Sequence, residues 1–227
     1  MDDNQKIYDE MVEKSPSGHQ YIYSKETLRM LDKVVPKNVK ILDVGCGTGH
    51  IAGNLKDREW YGVDISPLSI EKAKQYYKGV KVGDITRNIP FSDNSFDVVF
   101  ALGIFHHIPD KMRNALKEIR RVLKKNGILI IIDHNNKNLE IKKAHEGIFK
   151  IVPCKNERTI SKEYLMNLLI EERFQSTEAI KYITIRGDQQ SLTPPIWKKI
   201  YKCPFLFLLG LISSQSTDFM IKATKNE

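Results

Sequence analysis

The amino-acid sequence predicts an α/β domain built on a doubly wound, mostly parallel sheet. Strand and helix patterns alternate from about Pro36 to Ile132, and one strand runs directly into a turn with Gly45, Gly47 and Gly49. The length of 227 residues, with 41% hydrophobic and 28% charged residues, suits one soluble domain with a substantial core. Such alternation places helices on both faces of a parallel sheet.

The amino-terminal segment, residues 1–36, is predicted to be helical. Leu28, Leu31 and Val34 recur at helical spacing, and Pro36 follows them as a helix stop. Strand patterns begin directly afterwards. Short apolar runs predict the first four strands over Lys40–Val44, Trp60–Val63, Val80–Val82 and Phe96–Ala101.

Helices are predicted between these strands, over residues 49–56 and 66–77. Ser66 and Pro67 suit the cap and the first position of the second helix. A longer amphipathic helix is predicted to begin with Asp110 as its cap and to end in a basic turn and a glycine at residues 124–127. Ile128–Ile132 contains no polar residue, so this fifth strand should be covered on both faces.

The last third of the chain is less regular. Ser161 should cap a helix over residues 163–172, and strands are predicted over Ala179–Ile185 and Asp218–Lys225. An apolar insert, residues 187–217, separates these two strands. We therefore predict a single domain over residues 1–227, with an amino-terminal helical lid (1–36), a cofactor-binding core (37–134) and substrate-side elements (135–227).

Composition excludes several classes of protein. Cys46, Cys154 and Cys203 are far apart and form no CxxC pair, which argues against a zinc site and a disulfide framework. The polar start of the chain argues against a secretory signal, so a cytoplasmic location is expected. A formal net charge of +8 is compatible with nucleic acid, an anionic membrane surface or a phosphorylated substrate, and equally with a lysine-rich solvated surface.

The glycine turn predicts a nucleotide-type binding site, because glycine lets a ligand lie directly against the backbone. Two cofactors suit it. Gly47-x-Gly49-x-x-Ala52 matches a dinucleotide fingerprint, with Asp64 near the expected ribose-binding position. Asp43 favours the second cofactor, since a carboxylate before the turn would repel a pyrophosphate and attract the methionine ammonium of S-adenosylmethionine. The alternative role for Asp43 is that of a structural strand-end cap.

Three further segments favour the methyl donor. Asp64 ends the second predicted strand, and Asp84 ends the third, where carboxylates can accept hydrogen bonds from ribose hydroxyls and an adenine amino group. Residues 90–110 then supply the fourth strand and the turn after it. In order and spacing, residues 36–133 resemble the class I S-adenosylmethionine-dependent methyltransferases of the small-molecule, methyltransferase type 11-like kind.

This resemblance implies a Rossmann-like sheet of seven strands with an antiparallel last strand, and S-adenosyl-L-methionine as the cofactor. The glycines should line its methionine and ribose portion, Asp64 its ribose, and the residues around Asp84 its adenine. For Asp84 the alternative is an ordinary turn. The residues that the resemblance places at the cofactor are Asp43, Gly45, Cys46, Gly47, Gly49, Asp64, Ile65, Asp84, Ile85, Ala101 and Leu102.

Two histidines are the candidate catalytic residues. Methylation of an oxygen requires loss of a proton, and histidine titrates in the range that a general base needs. His106 and His107 follow the fourth strand, where the methyl group should emerge, and we favour His106. Packing and capping of the following helix is the alternative role for the pair, and His134 is a second candidate base.

No Asn/Asp-Pro-Pro-aromatic tetrad follows the fourth strand. This absence argues against an enzyme whose substrate is the amino group of an adenine base.

The insert is the most individual part of the sequence. Its apolar run, Phe205–Ile212, is far shorter than the ~20 residues that cross a bilayer. Residues 196–212, which include three lysines, could cover a hydrophobic substrate or rest on the inner face of an anionic membrane. They could equally pack into the core or form a dimer contact.

The predicted function is S-adenosylmethionine-dependent transfer of a methyl group to a small or lipid-linked acceptor, at oxygen. An RNA methyltransferase is the first alternative. The positive charge favours it, whereas the absence of an RNA-binding module, a stacking motif or a basic stripe argues against nucleic acid. A non-catalytic cofactor-binding regulator is the second alternative, against which Asp43, the glycines and Asp64 argue.

Overall fold

The computed structural model describes residues 3–14, 25–134, 160–183 and 218–226. The predicted insert, residues 187–217, lies outside these residues, as do Cys154 and Cys203. The strands are β1 (Lys40–Val44), β2 (Glu59–Asp64), β3 (Gly79–Val82), β4 (Phe96–Leu102), β5 (Leu123–His134), β6 (Phe174–Ile183) and β7 (Asp218–Lys225). The helices are α1 (Asp3–Lys14), α2 (Lys25–Val34), α3 (His50–Asn54), α4 (Pro67–Ala73), α5 (Met112–Val122) and α6 (Lys162–Glu171).

The described strands form one seven-stranded sheet in the order β3-β2-β1-β4-β5-β7-β6. Neighbouring strands are parallel except at β7, which runs antiparallel to both β5 and β6. The predicted fold class, with its antiparallel last strand, is confirmed. Strands β2 and β3 follow β1 on one side of it, and β4 and β5 lie on its other side. This reversal of strand order opens a crevice between the carboxyl ends of β1 and β4.

Helices cover both faces of the sheet because the central strands are apolar on both sides. Leu42 packs on one face with α5 and α6, and its neighbour Ile41 packs on the other with α2, α3 and α4. Ile131 and Ile130 of β5 divide between the faces in the same way. The prediction that the fifth strand is covered on both faces is therefore confirmed.

The predicted helix caps at Ser66 and Ser161 are also confirmed. Ser66 Oγ accepts a hydrogen bond from the Ser69 amide at 3.0 Å, and Ser161 Oγ accepts one from the Tyr164 amide at 3.2 Å. These bonds satisfy amide groups that have no partner inside the helix. No helix in the described residues is long and apolar enough to cross a membrane.

Both predicted ends of the long helix are wrong. Asp110 lies in a 3-10 turn, and α5 begins at Met112 without a side-chain cap. The helix ends at Val122, ahead of the predicted basic turn. Leu123 is extended, with φ −68° and ψ 138°, and it pairs with Phe96 of β4. Sheet pairing therefore overrides the local stop signal, and β5 begins earlier than predicted.

The predicted start of β6 and the predicted end of α4 also need correction. β6 begins at Phe174 rather than Ala179, and Gln175 pairs with Thr224 of β7. An edge strand tolerates such polar residues because only one of its sides is paired with another strand. α4 ends at Ala73, before the predicted end at Tyr77.

Candidate functional site

The carboxyl ends of the central strands bring the predicted site residues to one edge of the sheet. Asp43 of β1 lies beside Gly62 of β2, two residues before Asp64. On the other side, β1 pairs with β4 up to Ala101. Leu102 of β4 lies beside Ile132 of β5, which directly precedes Asp133. The residues predicted from separate strands therefore share one crevice.

The three glycines of the turn have different surroundings, although all have positive φ: +71° at Gly45, +51° at Gly47 and +93° at Gly49. A Cβ at Gly45 would overlap the Ile104 side chain, and one at Gly49 would lie 2.7 Å from Cδ2 of Tyr76. A Cβ at Gly47 would meet no described protein atom within 4 Å. Gly47 is therefore the glycine whose backbone borders open space where a ligand can lie.

Asp43 is a buried carboxylate, 2% exposed, whose Oδ2 accepts a hydrogen bond from the Tyr77 hydroxyl at 2.7 Å. Burial raises the pKa of Asp43 to about 7; the Tyr77 hydrogen bond opposes this rise and the charge of Asp64 adds to it. Within the described residues, no lysine or arginine forms an ion pair with Asp43. A buried carboxylate that lacks a cation suits a positively charged ligand group.

Asp64 joins the glycine turn to the start of α4. Its Oδ2 accepts the Gly47 amide at 2.8 Å, and its Oδ1 accepts the Ser66 amide at 2.9 Å. Burial raises the pKa of Asp64, while these two amides oppose the rise. Each carboxylate oxygen has a second lone pair, so Asp64 can hold the turn and still accept hydrogen bonds from a ligand. Ile65, the next residue, is partly exposed at the same edge.

Asp84 caps a tight turn after β3. Its Oδ1 accepts hydrogen bonds from the amide and the hydroxyl of Thr86 at 2.8 and 2.7 Å, and its Oδ2 lies 3.3 Å from Nε of Arg87. The side chain of Ile85 is 7% exposed and packs in the core on the α5 side of the sheet. The structure thus gives both residues a role in stabilising the fold.

Cys46, Ala101 and Leu102 lie at the same edge of the sheet but differ in exposure. Cys46 is 7% exposed and Ala101 is fully buried, whereas Leu102 is partly exposed. Cys46 packs in the core on the α3 side of the sheet, and burial raises the pKa of its thiol, which keeps it protonated. Leu102 therefore offers a ligand more side-chain surface than the other two residues do.

His106 is buried and paired with a carboxylate that sequence analysis did not single out. The imidazole Nδ1 lies 2.7 Å from Oδ1 of Asp133, and the two side chains are 3% and 0% exposed. Oδ2 of Asp133 accepts the amides of Phe105 and His106 at 2.8 and 3.3 Å. The sequence signal for Asp133 was an acid directly after a fully apolar strand.

His107 connects this pair to the amino-terminal helix. The rings of His106 and His107 are 3.9 Å apart, and Tyr8 of α1 meets His107 edge-on at 5.7 Å. Neither histidine caps α5. His134 ends β5, and its side chain lies outside the described residues.

Helix α1 also packs against α4. The Ser66 hydroxyl donates to Oδ1 of Asp9, and Nζ of Lys72 donates to the carbonyl of Val12 at 3.2 Å. The sequence pattern predicts a helical segment here but no role for Tyr8 or Asp9. Both lie on a helix whose partners are distant in sequence, so no local pattern signals these contacts.

Comparison with known proteins identifies relatives for the central part of the chain. Residues 42–131 match a family model described as a methyltransferase domain. A demethylmenaquinone methyltransferase from Thermotoga maritima is 36% identical over 117 residues, or 49% of this chain and 49% of that protein. An O-methyltransferase from Aspergillus sclerotiorum is 33% identical over 152 residues, or 61% of this chain and 55% of that protein. The chain thus spans about half the length of these relatives.

A solved structure resembles nearly the whole chain. It is a SAM-dependent methyltransferase from Thermotoga maritima, described as a possible histamine N-methyltransferase. It has a TM-score of 0.71 and 24% sequence identity, and it covers 98% of this chain and 99% of its own. At this identity the likeness concerns the fold.

Proposed function

We infer that residues 42–131 form a methyltransferase domain with S-adenosyl-L-methionine as its cofactor, because they match the methyltransferase-domain family model and the chain has the class I methyltransferase fold. From this premise, we propose that the protein transfers a methyl group to an oxygen of a small or lipid-linked acceptor. The observation that supports cofactor binding most directly is Asp43, a buried carboxylate without a cation in the described residues. It is the penultimate residue of β1, which leads into the turn that exposes Gly47.

In this proposal, Asp43 binds the methionine ammonium and the turn at residues 45–49 follows the methionine and ribose portion. Asp64 accepts hydrogen bonds from the ribose hydroxyls through the lone pairs that Gly47 and Ser66 do not use. The exposed backbone of Gly47 lets the cofactor approach without a side chain in its path.

The remaining contacts of the proposal lie on the adenine and methyl sides. Ile65 is partly exposed and contacts the adenine, while the backbone and carboxylate around Asp84 and Ile85 hold the adenine edge. Leu102 and Ala101, at the end of β4, lie beside the methionine portion. Asp84 combines this role with its hydrogen bonds within the turn.

His106 is the general base of the proposed reaction. The cofactor supplies an activated methyl carbon for in-line displacement, so the protein has to position the acceptor and remove its proton. In this proposal His106, whose Nδ1 lies 2.7 Å from Asp133, takes the proton of the acceptor hydroxyl. The His106 ring lies close to the end of β4, since a Cβ at Gly103 would lie 3.7 Å from its Cε1 atom.

The acceptor class is inferred from the insert and the relatives. Residues 196–212 combine an aromatic and aliphatic run with lysines, a composition that suits a hydrophobic acceptor or the inner surface of an anionic membrane. A relative that methylates demethylmenaquinone supports a lipid-like acceptor, and an O-methyltransferase relative supports oxygen as the methylated atom.

A methyl-label transfer assay tests the function. The purified protein receives label from S-adenosylmethionine in the presence of lipid, RNA or small-metabolite fractions from the source cell. Label in a base-stable product of the lipid or metabolite fraction supports the proposal. Label in RNA alone overturns it in favour of an RNA methyltransferase, and failure to bind the cofactor by calorimetry at millimolar concentration overturns every methyltransferase assignment.

Deletion of residues 196–212 tests the acceptor class separately. We expect the deletion to reduce transfer to a hydrophobic acceptor and leave the cofactor dissociation constant unchanged, as measured by calorimetry. Equal loss of transfer and of cofactor binding would assign the segment to the stability of the domain instead.

A further inference from the structure

A buried tyrosine lies between the glycine turn and the carboxylate near the end of β1. Tyr77 follows the turn after α4, and its hydroxyl donates a hydrogen bond to Oδ2 of Asp43 at 2.7 Å. A Cβ at Gly49 would lie 3.0 Å from Cε2 of the same ring, so the ring packs against the backbone of the turn. One side chain therefore contacts two parts of the site to which the proposed function assigns the methionine portion of the cofactor.

The Tyr77 ring and the backbone next to it are held by β2. The ring meets Trp60 edge-on, with centroids 6.5 Å apart and an angle of 79° between the planes. Trp60 is itself buried and fixed, because its Nε1 donates to the carbonyl of Leu55 at 2.8 Å. The amide of Lys78 donates to the carbonyl of Trp60 at 2.8 Å. These contacts keep the Tyr77 hydroxyl at a set position beside Asp43.

We propose that Tyr77 is a positioning residue for the methyl donor and acts through Asp43: its hydroxyl holds Oδ2 and leaves Oδ1 to receive the methionine ammonium. Within the described residues, Oδ1 accepts no hydrogen bond. This inference rests on the proposed function, because it gives a partner to the carboxylate that is proposed to bind the ammonium.

The chemistry of the hydroxyl suits this role. A buried carboxylate needs hydrogen-bond donors, and an ionised one can only accept. A tyrosine hydroxyl donates without bringing a positive charge, so the charge of Asp43 stays available to the ammonium. The same bond opposes the rise in the pKa of Asp43 that burial and the charge of Asp64 cause. The Cys46 thiol is a further titratable group that interacts with Asp43.

The substitution Tyr77→Phe removes the hydroxyl and keeps the ring that packs against Gly49 and Trp60. We expect the dissociation constant of S-adenosylmethionine to rise about 3- to 10-fold at pH 8, as measured by calorimetry. Methylthioadenosine, which lacks the ammonium, should bind within about twofold of its wild-type affinity. A structural role of Tyr77 would weaken both ligands equally, so equal weakening would overturn the proposal.

Tyr61→Phe is the matched control. The Tyr61 hydroxyl also donates to a carboxylate, Oε1 of Glu59 at 2.9 Å, but Glu59 begins β2 and lies at the opposite edge of the sheet. This variant should bind both ligands as the wild type does. The midpoint of the pH dependence of S-adenosylmethionine binding should lie about one pH unit higher in Tyr77→Phe only. The same midpoint in both variants would overturn the proposal.

The outcomes distinguish failure of this inference from failure of the proposed function. A wild-type protein that does not bind S-adenosylmethionine at millimolar concentration refutes the proposed function and the inference with it. Wild-type binding together with equal binding by Tyr77→Phe overturns the inference alone.

NMR of the wild type with ¹³Cζ-labelled tyrosine tests the inference even if Tyr77→Phe does not fold. The Tyr77 signal should move with the titration of Asp43 between pH 6 and pH 8, because the two groups share a hydrogen bond. It should stay constant over this range when S-adenosylmethionine is bound, since the ammonium then keeps Asp43 ionised. A Tyr77 signal that responds to neither pH nor cofactor would overturn the inference.

Discussion

Binding of S-adenosylmethionine should weaken as the pH falls below about 7, because Asp43 must be ionised to receive the methionine ammonium. Burial raises the pKa of Asp43 to about 7. Roughly nine in ten molecules would therefore carry a protonated Asp43 at pH 6, and roughly one in ten at pH 8. Because the protein with ionised Asp43 is the form that binds the ammonium, the cofactor dissociation constant should be about tenfold higher at pH 6 than at pH 8. A tenfold change corresponds to about 1.4 kcal/mol of binding free energy.

Calorimetry at pH 6 and pH 8 measures this difference, with two variants and one analogue as controls. Asp43→Asn should bind about 2 kcal/mol more weakly at pH 8 and show no dependence on Asp43 ionisation. Tyr77→Phe removes the hydrogen bond that opposes the raised pKa, so the pH dependence should move to higher pH. Methylthioadenosine, which lacks the ammonium, should bind equally at both pH values.

The same titration should affect the stability of the free protein. An unfolded aspartate titrates near 3.9, so at pH 5 the folded protein holds a proton on Asp43 that the unfolded chain does not. The contribution of Asp43 to the free energy of unfolding therefore rises as the pH falls from 8 to 5, by roughly 2 to 3 kcal/mol. Urea unfolding of the wild type and Asp43→Asn at both pH values isolates this contribution from those of other carboxylates.

The role of Asp43 ionisation would be refuted by equal cofactor affinity of the wild type at pH 6 and pH 8. It would also be refuted if Asp43→Asn kept the tenfold dependence, since the titrating group would then be another residue. The stability difference between the wild type and Asp43→Asn is the quantity to compare at the two pH values. If the wild type loses stability relative to Asp43→Asn between pH 8 and pH 5, burial does not raise the pKa of Asp43.

Four further substitutions test other contacts of the site. Asp64→Ala should raise the cofactor dissociation constant by about 2 kcal/mol by calorimetry, and an unchanged value would contradict its assignment to the ribose. Gly47→Ala should weaken cofactor binding at least about tenfold while it lowers the free energy of unfolding by only about 1 kcal/mol. Gly49→Ala should mainly lower stability in urea, because its methyl group would meet Tyr76. The reverse pattern would exclude Gly47 as the ligand-facing glycine. Asp9→Ala should speed amide exchange in α1, and unchanged exchange would mean that other contacts hold the helix.

The features that sequence analysis predicted well depend on neighbouring residues. The first strand, Lys40–Val44, and the turn after it are predictable because an apolar run and glycines with positive φ are local signals. Ser66 is predictable as a cap for the same reason. Asp43 and Asp64 were expected at one edge because parallel strands end together.

The features that sequence analysis missed depend on residues far apart in the chain. Asp133 and His106 are 27 positions apart, and nothing near either residue indicates that they pair. The end of α5 was misplaced because Leu123 pairs with Phe96 in the sheet, a contact that outweighs the basic and glycine residues that follow. Local patterns predicted where the strands end, but not which side chains meet there.

Helix α1 contacts both the histidine pair and the residues that hold the glycine turn. Tyr8 contacts His107 of the histidine pair, on the proposed acceptor side, and the next residue, Asp9, accepts a hydrogen bond from the Ser66 hydroxyl. Ser66 in turn donates its amide to Asp64, which holds Gly47. A substitution in α1 that admits a new acceptor will therefore also change the affinity for the methyl donor, so selection for one property acts on both.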